Sequence, residues 1–556
     1  MLNLSKYYTM RNHLRLLFVG LFLSLSLGAQ STTSSKNETP KLVVGLVVDQ
    51  MRWDYLNRYQ DQYGNDGFNR MIREGYSFSN VMIDYIPTVT ALGHTSVYTG
   101  SVPSIHGIAG NDWLDRETGE NIYCTTDKQV KGVGSSSDKI GGHSPQNLNS
   151  TTITDQLGMA TNFRSKVVGV SLKDRASILP AGHNPLGAFW FDEGNGHFVT
   201  SSYYMNELPK WLQDFNAKNH ARTLVSKGWN LVLNPNEYKE STRDDVPWEG
   251  LLGSAKSPTF PYKNLLADFD KDKNVIRTTP FGNTLTLMAA TAAVDGYGLG
   301  KDSDTDFLVV NLASTDYVGH KFGPNSIEVQ DTYIRLDRDL AEFFKALDQK
   351  VGKGNYLVFL TADHGAAHSE GYMKENKMKS GFFDRELIAD LKEELKAEFG
   401  KSDLILGFQN YQVYLNRKVI KSADLDYDKV ASHVVEWLNT EKSVLYAVEL
   451  RKLAQAAIPE PIKTRMTNGY HWQRSGDIQI ITQDGLLPSY SKTGTTHSVW
   501  NSYDSHIPLL FMGTGVKKGA SSKPYHMTDI APTVAQMLKI ETPSGTIGNP
   551  ISELVD

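Results

Sequence analysis

Three carboxylates and three imidazoles in this chain stand where one or more metal ions could gather them. Asp49 closes the apolar run LVVGLVVDQM, and Asp316 and His320 lie four apart in ASTDYVGH. Asp363 and His364 are adjacent in TADHG, and His497 sits in the polar loop GTTHSVW. A four-residue spacing can put two side chains on one side of a helical turn. Adjacent Asp and His can bind one ion together when a turn opens the backbone between them. Carboxylate and imidazole are ligands that suit zinc. Each residue also has a plainer reading. An Asp after a buried strand is often a helix cap or turn residue, and a lone His is more often on the surface than on a metal.

To bring these residues together, several strands must end beside one another. LVVGLVVDQM, DFLVVNLAS, NYLVFLTADHG and HIPLLFMG are continuous apolar runs. That form fits strands of a parallel sheet buried on both faces. Ile327, Ile334, Leu336, Leu340, Phe343 and Leu347 mark an amphipathic helix after Pro324-Asn325-Ser326. A second helix is expected over 285–294. Alternating strands and helices predict an α/β sandwich, a mostly parallel central sheet flanked by helices. Ligands in such folds bind at the carboxyl ends of the strands, where Asp49, Asp316 and Asp363 fall. Two stretches, about 190–280 and about 375–475, break the alternation. They read as cap insertions in a catalytic domain covering 41–556. The second should hold a charged helix near 385–399 and a hairpin near 404–415.

The chain has 57 Lys and Arg against 62 Asp and Glu, a net charge of -5, with no long basic run. That argues against a nucleic-acid-binding surface. Lys6, Arg11, His13 and Arg15 precede or adjoin an apolar stretch from Leu16 to Leu27, followed by small residues up to Ala29. Residues 1–29 therefore read as a signal peptide, too short in its apolar part for a membrane span. Residues 30–40 read as a polar linker. The expected location is periplasmic or secreted, with no stable membrane span after cleavage. Cys124 is the single cysteine, so an intramolecular disulfide is impossible.

The segments VVDQM, PTVTALGHTSVYTG, GNDW, SLKDR, ASTDYVGH, TADHG and GTTHS occur in this order. In that order the chain resembles the alkaline phosphatase superfamily. The nearest likeness is to phosphate-irrepressible, PafA-type alkaline phosphatases, with the nucleotide pyrophosphatase/phosphodiesterases as cousins. The resemblance implies an alkaline-phosphatase-like sandwich carrying two zinc ions. One zinc would be held by Asp316, His320 and His497. The other would be held by Asp49, Asp363 and His364 and would also touch Thr90, the nucleophile. A phospho-threonine would form and then be hydrolysed. Gly93 and the apolar residues after Thr90 suggest a helix start, whose N-terminus favours phosphate charge; simple N-capping by Thr90 is the plainer alternative.

The resemblance also implies that Asn111 of GNDW and Lys173 and Arg175 of SLKDR bind phosphoryl oxygens. Three carboxylates and a Thr90 alkoxide roughly cancel two zinc ions, so a dianionic monoester needs further cations. Lys173 and Arg175 would supply them, and on a strand their spacing would place both on one face. The expected substrates are small-molecule phosphate monoesters, acted on by a monomer. The alternatives are a phosphodiesterase or nucleotide pyrophosphatase on the same fold, and a non-enzymatic binding protein. Cys124 lies in YCTTDKQ, which lacks the C/S-x-P-x-R pattern of sulfatases. His94 and His106 read as turn residues, and Asp54, Asp84 and Asp112 as structural.

Overall fold

Leu42–Val48, seven consecutive buried residues, forms the middle of the main sheet. The structure, a computed structural model, describes residues 39–384, 386–487 and 492–555. Segment 1–29 and residues 30–38 of the linker lie outside the described residues. Leu42–Val48 pairs in parallel with Asp306–Leu312 on one side and Tyr356–Thr361 on the other. Val167–Ser171 and Gly187–Asp192 extend the parallel set beyond Asp306–Leu312. His197–Ser201 then turns back antiparallel. Beyond Tyr356–Thr361 come His506–Gly513, Tyr76–Met82 and Gly519–Ser521.

His506–Gly513 carries the apolar run HIPLLFMG, yet it runs antiparallel to Tyr356–Thr361. An apolar run reports burial on both faces; direction depends on how the chain enters the sheet. Ile327–Leu347 is one long helix, and Ser326 Oγ caps it by accepting from Val329 N at 3.1 Å. The helix expected over 285–294 extends further, to Phe281–Tyr297, and stops at Gly298, whose φ of 61° suits glycine. The sheet with helices on its faces is the α/β sandwich that the alternation predicts.

The chain between 190 and 280 packs into the main core. Trp229 is fully buried there, donates from Nε1 to Asp331 Oδ2 at 2.7 Å, and meets Phe260 edge-on. A second, antiparallel sheet combines Ile405–Gln409, Gln412–Leu415, Ile478–Thr482 and Val444–Glu449. It has its own apolar cluster. Leu391 and Leu395 of helix Leu387–Phe399 pack there with Val430, Val434 and Leu438 of helix Tyr427–Leu438. Each such buried Leu contributes roughly 1.5–3 kcal/mol. A third cluster joins Ile86 to Val448, Leu450, Ile462 and Met466. Ile86 N also donates to Arg465 O at 3.2 Å. The second sheet thereby braces the loop that leads to Thr90.

Candidate metal centre and nucleophile

The three parallel strands at the centre of the sheet deliver the three carboxylates. Asp49 follows Leu42–Val48 directly, and Asp363 follows Tyr356–Thr361 after one residue. Asp316 lies in the first turn of helix Ser314–Phe322, which begins just after Asp306–Leu312. Parallel neighbours end at the same edge of a sheet, so the three side chains converge there. The Asp316–His320 spacing does fall on one helical face, with Asp316 Oδ1 3.1 Å from His320 Nε2. The ligand atoms of Asp316, His320 and His497 all lie within 4.8 Å of one another. Asp49, Asp316 and His364 form an overlapping group, as do Asp49, His94 and Asp363.

Orphaned atoms test whether metal fits. Asp49 Oδ1, Asp363 Oδ2 and His364 Nε2 are buried with no hydrogen-bond partner among the described residues. His364 Nε2 lies 3.3 Å from Asp363 Oδ2 and 3.7 Å from Asp49 Oδ1, without hydrogen-bond geometry. Buried polar atoms left unpaired are costly and rare. Three that converge are what a cation would satisfy. The imidazoles are prepared for it. His364 Nδ1 donates to Gly365 O at 3.0 Å, His320 Nδ1 to Thr495 O at 2.9 Å, and His497 Nδ1 to Thr88 O at 2.6 Å. A carbonyl only accepts, so each Nδ1 carries a hydrogen and Nε2 is the nitrogen left to bind a metal.

The charges call for the same thing. Burial, then Asp363 and Asp316 close by, push the Asp49 carboxyl up to about 7, with Lys173 pulling the other way. Burial also works against ionised Asp316, but His320, Lys173 and His497 outweigh it and hold its carboxyl well below the usual range. At Asp363 burial is likewise outweighed, by His364 and His94. Three carboxylates in a dry site need compensating positive charge.

Thr90 opens helix Thr90–Thr99 and is buried. The residue before the helix is Val89, and no side chain caps it. The Thr90 hydroxyl is therefore not spent on capping. A Cβ on Gly93 would overlap the Asp363 main chain. Glycine there lets the helix press against the turn that carries Asp363. Lys173 Nζ donates to Thr90 Oγ1 at 3.2 Å, Asp49 Oδ2 at 2.9 Å and Asp316 Oδ2 at 2.7 Å. Burial disfavours its charge, but Asp316 and Asp49 keep it protonated.

Asn111 Oδ1 accepts from Ala91 N at 3.0 Å, which ties it to the start of the Thr90 helix and leaves its NH2 for other partners. Lys173 and Arg175 do not lie on a strand. Val167–Ser171 has already ended, and Lys173 is the N-cap of helix Asp174–Ala181, with Arg175 in its first turn. Both still reach the same place, because the strand–helix junction turns there. They line one cavity of about 370 Å³ together with Asp112, Tyr123, Arg277 and Tyr317. Arg175 Nη1 donates to Tyr123 OH at 3.0 Å, and Tyr123 OH donates to Asp174 Oδ1 at 2.6 Å.

Two residues at the centre escape the sequence reading. His94 is not a turn residue. It sits in the Thr90 helix, with Nδ1 2.9 Å from Thr90 O and 3.4 Å from Asp363 Oδ2. Its i+4 spacing from Thr90 is the signal that could have found it. Gln50, beside Asp49, has no such signal. His106 does hold a turn, accepting from Ile108 N, and burial takes it down to about 3. Asp54 pairs with Arg52 and Arg58, Asp84 with His526, and Asp112 accepts from Asn121.

The sequence matches the family described as Type I phosphodiesterase / nucleotide pyrophosphatase over residues 43–506. It is 63% identical to alkaline phosphatase PafA of Elizabethkingia meningoseptica, over 96% of this chain and 98% of the relative. It is 49% identical to alkaline phosphatase PhoV of Synechococcus elongatus, over 93% of each. The crystal structure of wild-type PafA superposes with a TM-score of 0.92 at 64% identity, covering 93% of this chain and 99% of that one. The chain belongs to the type I phosphodiesterase / nucleotide pyrophosphatase family, and within it stands beside the PafA-type alkaline phosphatases.

Proposed function

We propose that this protein is an alkaline phosphatase that hydrolyses phosphate monoesters through Thr90, with two zinc ions as cofactors. The observation that carries the reading is a ligand cluster with buried, orphaned atoms, whose carboxylates Asp49 and Asp316 share the Lys173 ammonium with a buried threonine hydroxyl that no cap consumes. Asp316, His320 and His497 would hold one zinc. Asp49, Asp363 and His364 would hold the other, next to Thr90. Bound there, zinc supplies Lewis acidity that eases ionisation of a hydroxyl and offsets charge on phosphoryl oxygens.

The chain's own residues do the rest. Thr90 Oγ1 attacks phosphorus as its proton leaves, and the bond to the leaving oxygen breaks. The product is phospho-threonine, which water then cleaves to release phosphate and restore the hydroxyl. The Asn111 amide, Lys173 and Arg175 bind the non-bridging oxygens, and the helix N-terminus at Thr90 adds main-chain dipoles to the same charge. A solved variant of PafA carries substitutions at a threonine, an asparagine, a lysine and an arginine with the sequence intervals of Thr90, Asn111, Lys173 and Arg175.

The family's description favours one second reading, phosphodiesterase. Comparing kcat/KM on a monoester and its methyl diester decides between them. Monoester preference is expected; diester preference would hand the site to the second reading. Export also belongs to this proposal, with 1–29 as signal peptide, 30–40 as linker, a periplasmic or secreted monomer, and caps at about 190–280 and 375–475. None of the helices among the described residues is long and apolar enough to cross a membrane.

A further inference from the structure

Gln50 is a non-glycine residue with φ of 62°, at the point where the central strand gives way to the metal centre. Side chains rarely adopt that left-handed backbone, and they persist in it only where surroundings enforce it. Glycine would adopt it freely, so the conformation alone gives no reason for a glutamine. The side chain does. Gln50 is 3% exposed, and its Nε2 donates to Asp316 Oδ1 at 2.7 Å. Its main-chain N–H donates to Asp363 Oδ1 at 3.1 Å. One residue therefore grips a carboxylate from each of the two proposed ligand sets. The left-handed turn is what lets N–H and side chain reach both.

Helix Ser314–Phe322 is shaped to admit this side chain. A Cβ on Gly319 would overlap Gln50 Oε1. Gly319 lies between Asp316 and His320 on that helix. The amide thus rests on the element that presents both ligands.

We infer that Gln50 is a positioning residue that sets the two ligand groups in one fixed relation, its side-chain amide holding Asp316 and its main-chain N–H holding Asp363. The inference rests on the two-metal reading. An Asp316 that is free to rotate presents its oxygens to metal in several directions. Lys173 holds Oδ2 at 2.7 Å and the Gln50 amide holds Oδ1, so both oxygens are fixed before binding, and Oδ1 depends on Gln50. Hydrogen-bond partners of metal ligands typically change metal affinity by about 10- to 100-fold.

The test uses zinc-loaded full-length protein and a competing chelator. Wild type is measured first; fewer than two zinc ions per chain would sink the two-metal reading itself. Gln50→Met then removes the amide while keeping the volume and the main-chain N–H. One zinc should leave about 10- to 100-fold more readily, and the other should leave as in wild type. The lost turnover should return as free zinc is raised, and the melting temperature should fall further in the zinc-loaded protein than in the chelated one. Gln50→Ala, which demands less room, should give the same split. Two zinc ions held as tightly as in wild type would overturn the inference. So would variants whose chelated and zinc-loaded forms drop in melting temperature by the same amount, since Gln50 would then act through the fold alone.

Discussion

The imidazoles of His364 and His497 stack face to face, their ring centroids 3.6 Å apart and their planes 18° from parallel. They come from loops more than a hundred residues apart in sequence, and each belongs to a different proposed zinc site. Two stacked imidazolium ions would repel. Burial, then His364 and His320, hold His497 well below its ordinary value. His497 is therefore held neutral, the form that binds metal.

The first expectation concerns metal. Elemental analysis should find about two zinc ions per chain. Chelation should abolish turnover and lower the melting temperature, since ligand at a thousand times its Kd adds about 4 kcal/mol to stability. Protons compete with metal for Nε2, so zinc should leave as pH falls. Full turnover in protein stripped of metal would refute the two-zinc centre.

Thr90→Ala should keep the fold and both metals, because the hydroxyl caps nothing. Its kcat/KM should fall roughly 1000-fold or more, the scale seen when a nucleophile is removed. Thr90→Ser restores a hydroxyl and should recover part of the rate. Turnover of Thr90→Ala near that of wild type would remove Thr90 from the mechanism.

Lys173 and Arg175 should select monoesters. Each charge-assisted contact in a dry site is worth roughly 1.5–3 kcal/mol. The double variant Lys173→Ala, Arg175→Ala should lose far more monoester than diester hydrolysis, because a diester brings one charge fewer. Lys173 also sits between Asp49 and Asp316, so zinc content is measured alongside to separate substrate binding from metal loss. Tyr123→Phe frees Arg175 from its hydroxyl partner and should lower monoester turnover more mildly. Equal loss on both ester classes would show that the pair does not read charge.

Asp477 ties the second sheet together. It is 1% exposed and accepts from Arg116 at 2.7 Å, Arg417 at 2.6 Å, Tyr427 OH at 2.9 Å and Leu415 N at 2.8 Å. Burial opposes its charge, but Arg116 and Arg417 hold its carboxyl below the ordinary range. A depressed carboxylate stabilises the fold above its unfolded pKa, about 3.9, and loses that contribution as pH falls through the folded value. Asp477→Asn should thus be less stable at neutral pH, by less than the roughly 3–5 kcal/mol of a fully buried broken pair, because Arg417 is 43% exposed. The gap from wild type should narrow below about pH 4. A gap that stays constant across that range would assign the loss to packing instead of charge.

What sequence alone determined is local. Apolar runs ending in Asp49 and Asp363, and the i,i+4 pair Asp316–His320, are visible because strand burial and helical periodicity act over a few residues. The motif order then gathers Thr90, Asn111, Lys173, Arg175 and His497 as one candidate set. The direction of His506–Gly513 was not legible, since burial on both faces looks the same in either direction. Nor was the junction that carries Lys173 and Arg175, where the strand ends at Ser171 and a helix has begun by Asp174. Gln50 was decided by tertiary structure alone, and so was the carboxylate that His94 meets, since its i+4 spacing shows only that it shares a helical face with Thr90. A glutamine in a left-handed turn, or a histidine one turn past a threonine, matters only when Asp316 and Asp363 arrive from strands more than 250 residues away. Hydrogen bonds act over about 3 Å in space, and no local pattern in the chain encodes which distant oxygen will be there to accept them.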